Sequence, residues 1–100
     1  MDTKIVEIEQ TIKELLVYLE KYNDGEINYQ ISELKRAIEI ISSNESNSTK
    51  IYEIALIQKN IYPPRDGLSD FYVWKNDEKE RISINKPISE LGDRLWSLLK

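Results

Sequence analysis

Ile5, Ile8, Ile12, Leu15, Leu19 and Tyr22 step alternately by three and four residues, and this stripe constrains the chain more than any other feature. Such spacing places all six on one side of a helix of about five turns, with Glu7, Glu9, Lys13, Glu14, Glu20 and Lys21 on the other faces. Asp2 or Thr3 suits the N-cap of this helix, because either side chain accepts a bond from a free first-turn N–H. "NDG" at 23–25 ends it, with Gly25 free to take the left-handed conformation that closes helix C-termini.

Ile27, Ile31, Leu34, Ile38 and Ile41 repeat the pattern after a linker of only a few residues, so the first two helices are expected to pack antiparallel as a hairpin. "SSNESNS" at 42–48 reads as a polar loop whose side chains compete for backbone bonds. It holds two glycosylation sequons, at Asn44 and Asn47, but helix capping is the better reading of its serines. The third helix, near 48–61, carries apolar residues on most of its circumference, which places it at the centre of the domain. A buried strand over 51–57 is the competing assignment, since periodicity cannot settle a short apolar run.

Residues 61–74, "IYPPRDGLSDFYVW", are unlike the rest. They gather two of the three prolines, the single phenylalanine and a Tyr–Val–Trp run. Phe71 and Trp74, three apart, are expected to turn inward and pin this corner to the bundle, leaving Tyr62, Arg65, Asp66 and Tyr72 as contact candidates. Beyond it, Asp77 caps a short helix with Glu80 three residues on, and Pro87 starts a new one, because proline suits a first turn and not an interior. Ile88, Leu91, Leu95 and Leu98 form its stripe, and Trp96 is expected to anchor it in the core. The expected fold is therefore all-α: a single compact helical domain over residues 1–100, with four main helices, a short one and a Pro/aromatic corner.

Function is approached by exclusion. The chain has no cysteine and no histidine, which removes disulfides, zinc–thiolate sites and Cys or His nucleophile–base pairs. Three scattered glycines cannot form a phosphate-cradling loop, so no cofactor is expected. Asp66 and Asp70 flank Gly67 and are the remaining catalytic option, but Asp-Gly is a common turn pair and Ser69 or Asp70 makes a good helix cap. With Asp77 and Glu78 they do not match a calcium-loop spacing. No enzyme and no metal site is expected. The net charge of −4 disfavours nucleic acid, although Tyr62, Tyr72 and Trp74 could stack bases. The N-terminal ten residues lack an apolar signal-peptide core, and no apolar run reaches the ~20 residues of a membrane span. A cytoplasmic location is expected.

What remains is protein recognition. Residues 1–50 hold ten acids and six bases and residues 51–100 eight of each, so any acidic face belongs to the first hairpin. Two contact surfaces follow: the acids Glu7, Glu14, Glu20, Asp24 and Glu26, or the corner from Tyr62 to Tyr72 with Arg65, Asp66 and Asp70. Either suits a partner with a basic surface.

The run from Pro63 to Phe71, with Trp74, Asn85, Pro87, Leu91, Leu95 and Trp96, resembles the C-terminal half of small bacterial proteins that look like immunity proteins of polymorphic toxin systems. It covers about forty residues; residues 1–50 share only a helical hairpin with many proteins. The resemblance implies a small acidic inhibitor that neutralises a cognate toxin by occlusion, its partner being a basic toxin domain. The alternative from another class is a regulatory or structural adaptor that dimerises through exposed apolar residues of the first two helices. Sequence leaves monomer and homodimer open.

Overall fold

A computed structural model describes residues 3–62 and 71–99. Four helices follow in order: α1 (Thr3–Tyr22), α2 (Asn28–Ile41), α3 (Asn47–Ile61) and α4 (Glu78–Leu98). No strand occurs among the described residues, so 51–57 is helical and the fold is an all-α bundle. Asp2 lies outside the described residues.

The joints follow the local chemistry of their residues. Gly25 sits at a φ of 107°, in the left-handed region. Asn23 organises the same turn: its Oδ1 accepts from the N–H groups of Gly25 and Ile27, and its Nδ2 donates to Asn28 Oδ1. Ser46 caps α3 by accepting from the Thr49 N–H at 3.2 Å. Lys50 then reaches back across the α2–α3 loop and donates to the Ile41 carbonyl at 2.8 Å, at the C-terminal end of α2.

The α1 stripe is almost completely enclosed, with Ile5, Ile8, Ile12, Leu15 and Leu19 all buried. Helix α1 packs against both α2 and α4, whereas α3 packs chiefly against α2. The central elements are therefore α1 and α2, each packed against two helices, and not α3. Helix α3 buries Ile54, Ile57, Gln58 and Ile61 but leaves Tyr52 and Leu56 exposed, so its apolar circumference is covered on one side only. The helices meet in a tight layer of Ile12, Leu34, Ala37, Ile57, Ile61 and Leu95. Ala37 is fully buried there.

Pro87 lies inside α4, and no new helix begins at it. An interior proline loses one backbone hydrogen bond and crowds the preceding turn, at a cost of about 3 kcal/mol. Ile84 on one side and Ile88 and Leu95 on the other are buried along a single stripe that passes through the proline. Each buried isoleucine or leucine contributes about 1.5–3 kcal/mol, so keeping the stripe in one register outweighs the break.

Two buried side chains are imperfectly satisfied. Gln30 on α2 and Gln58 on α3 are both buried, and Gln30 Oε1 and Gln58 Nε2 have no hydrogen-bond partner. An unpaired buried polar atom costs roughly 1–3 kcal/mol. Methionine has nearly the same length and no such requirement. The double substitution Gln30→Met/Gln58→Met is expected to raise stability by about 1–2 kcal/mol, seen as a higher urea midpoint at unchanged slope. A lower midpoint would mean that the two amides find partners in solution.

Candidate functional site

The segment that leads into α4 carries two exposed aromatic side chains within three residues. Burial alternates along it: Phe71 and Val73 are half-buried against the core, while Tyr72 is 55 % and Trp74 67 % exposed. This is the period of an extended strand. A helical turn would bring Phe71 and Trp74 to one side, and that expectation fails for Trp74, which faces solvent.

Helix α4 holds the segment in place. A carboxamide carries both a donor and an acceptor and so matches a peptide group. Asn85 uses both on one residue: its Oδ1 accepts from the Val73 N–H at 2.8 Å, and its Nδ2 donates to the Val73 carbonyl at 2.8 Å. The second Nδ2 proton goes to the Arg81 carbonyl one turn back, at 2.9 Å, which fixes the rotamer. Arg81 in turn donates to the Lys75 carbonyl at 3.2 Å and lies 4.6 Å from the centre of the Trp74 ring, in cation–π geometry. Asp77 starts α4 by accepting from the Lys79 N–H, so Arg81 and Asn85 stand on consecutive turns facing the segment. The result places Tyr72 and Trp74 at the surface on a held backbone, with the half-buried Arg81 stacked on Trp74.

Tyr62 is different in kind. It closes α3, is half-buried, and meets Trp96 edge-on with ring centres 6.4 Å apart. Its hydroxyl fills the space beside Gly92, where an added Cβ would stand 2.8 Å from the oxygen. Burial, and secondarily the negative charge of Asp93, push its pKa up to about 12. Tyr62 thus joins α3 to α4. Trp96, expected as a core anchor, is 47 % exposed, because Leu95 beside it takes the inward position. Arg65, Asp66 and Asp70 lie outside the described residues.

The five acids of the first hairpin are spread over several faces. Glu7 is half-buried and Glu14 exposed on α1. Glu20 turns toward α2 and pairs with Lys35 at 2.9 Å. Asp24 accepts from the Glu26 N–H within the inter-helix turn, and the Glu26 side chain is exposed. Among the described residues no group of three or more acidic side chains gathers as a metal site, and no helix is long and apolar enough to cross a membrane. The exposed large apolar side chains of α1 and α2 are Val17 and Tyr29, one on each helix.

Two measurements check this geometry. Asn85→Ala removes both partners of Val73; its amide should exchange much faster, and global stability should fall by about 1–2 kcal/mol. Unchanged protection at Val73 would show that Asn85 does not hold the segment. For Tyr62, the folded pKa is raised, so its contribution is complete below pH 10 and is lost as pH climbs through 12. Between pH 9 and 11.5 the wild-type protein should lose about 2 kcal/mol more than Tyr62→Phe in urea titrations. Parallel curves for the two proteins would place the phenol in water.

No protein-family model matches the chain, and no curated protein or solved structure matches it, so the reading of the site stands on its own geometry.

Proposed function

We propose that this protein is a non-enzymatic protein-binding module, and specifically an immunity-type inhibitor that occludes a basic toxin domain. The observation that carries the binding reading is the Tyr72–Trp74–Arg81 group: two aromatic side chains exposed to solvent on a backbone held by Asn85, with the half-buried Arg81 stacked on Trp74 and bonded to the Lys75 carbonyl. Tyr, Trp and Arg are the residue types that dominate interface hot spots, and side chains held in place before contact lose less entropy on binding. Folding alone does not account for them, since a cation–π contact at an exposed site contributes only about 0.5–1 kcal/mol. The narrower reading draws on the resemblance of residues 62–99 to immunity proteins and on the net charge of −4, which favours association with a basic domain.

The test is co-expression with the product of the neighbouring toxin-like gene, followed by measurement of the complex. A one-to-one heterodimer is expected. Trp74→Ala should weaken it by about 2 kcal/mol or more, roughly thirtyfold in Kd, and Tyr72→Ala by a lesser amount. If the partner binds Trp74→Ala/Tyr72→Ala as it binds the wild type, this surface is not the contact. If no toxin-like neighbour exists and no heterodimer forms, the inhibitor reading fails.

A further inference from the structure

A second surface lies between α1 and α4. It is an open cleft of about 570 Å³, floored by Val17, Tyr18, Pro87 and Leu91 and edged by Glu14, Glu90 and Arg94. Val17 is 67 % exposed although α1 packs against two other helices. It stands outside the 5–8–12–15–19 stripe and serves no packing role there. None of the three edge charges forms an ion pair: the salt bridges of the described residues join Lys13 to Glu9, Lys35 to Glu20 and Arg36 to Glu33. Glu90 and Arg94 are four apart on one helix, a spacing that permits pairing, yet no bridge joins them.

We infer that this cleft receives a lysine or arginine side chain of a protein partner, its aliphatic stem on Val17, Pro87 and Leu91 and its cationic head beside Glu14 and Glu90. Three features select that occupant. Long basic side chains are apolar along the stem and charged at the tip, which matches an apolar floor with a charged edge. Carboxylates stand on both walls against one guanidinium, and low-dielectric walls concentrate the resulting negative potential. The cleft is a trough open to solvent, which suits a side chain projecting from a larger body better than a small molecule that must bury most of its own surface. Arg94 is the internal competitor, weakening the field that the incoming cation meets.

The choice of a protein as partner rests on the reading proposed above, but the cleft lies apart from Trp74 and is tested without it. The probe is a nine-residue amidated peptide of alternating leucine and lysine, added to the full chain labelled with nitrogen-15. Saturable shifts centred on Val17, Tyr18 and Leu91 are expected. The same peptide with every lysine acetylated keeps the stems and loses the charge, and should bind roughly tenfold more weakly. Glu14→Gln/Glu90→Gln should weaken the lysine peptide by a similar factor, while Arg94→Gln should tighten it. All three are surface substitutions that leave the fold intact. Trp74→Ala should leave peptide binding unchanged. Equal binding of the acetylated peptide, shifts centred elsewhere, or no saturable binding overturns the inference. Any of these outcomes leaves the Trp74 heterodimer measurement untouched, so the two readings fail separately.

Discussion

Burial of the α1 stripe from two sides fixes where the other helices must lie. Ile5, Ile8, Ile12, Leu15 and Leu19 leave almost no surface to water, and α2 and α4 together cover them. Helix α2 reaches α1 through a tight turn built on Asn23 and Gly25. Helix α4 must then run along most of a 20-residue partner, and it does so with 21 residues. A break at Pro87 would leave half of α1 uncovered. The cost of an interior proline is small beside the exposure of several isoleucines and leucines.

The proposed recognition surface inherits its rigidity from that continuity. Arg81 and Asn85 precede Pro87, and Ile88, Leu91 and Leu95 follow it. Were α4 two helices, the turns that carry Arg81 and Asn85 could pivot, and the segment tied to Asn85 would pivot with them. One helix through the proline couples the position of Trp74 to the packing of α1. The same proline contributes to the floor of the α1–α4 cleft, so a single residue lies behind both surfaces without touching the aromatic one.

Much of this was legible in the sequence, and the limits have physical causes. Helices α1 to α3, the left-handed Gly25 and the caps at Ser46 and Asp77 follow from local rules, because three or four neighbouring residues decide each of them. The errors lie where tertiary contacts override a local preference. Pro87 reads as a helix start until the stripe that crosses it is weighed. Helix α3 reads as central because its circumference is apolar, but an apolar side chain is buried only if another element lies over it, and none covers Tyr52 or Leu56. Trp96 and Trp74 read as core because tryptophan is large and apolar, yet register decides both: Leu95 takes the inward position on α4, and Phe71 and Val73 take it on the extended segment. The alternation 71–74 is itself the signal, since period two opposes the helical spacing assumed from Phe71 and Trp74. Asn85 stands out only through the resemblance, and no local pattern marks its role, because its partner is a backbone group twelve residues away.

The two buried glutamines and the exposed aromatics are opposite departures from a fully optimised bundle. Gln30 and Gln58 place polar atoms where apolar ones would be more stable, and Trp74 places apolar surface where polar would be more soluble. The first departure lies on α2 and α3, with Gln58 beside Ile12 and Leu95 as well. The second is maintained by three hydrogen bonds and a stacked guanidinium that bury little apolar area. Within residues 71–75 Phe71 and Val73 pack against the core, while the outward side chains Tyr72 and Trp74 add almost nothing to it. The bonds from Asn85 and Arg81 fix the backbone at Val73 and Lys75, and Tyr72 and Trp74 face outward from it. That arrangement gives the folded chain little by itself, which is the ground on which we propose that a second molecule covers it.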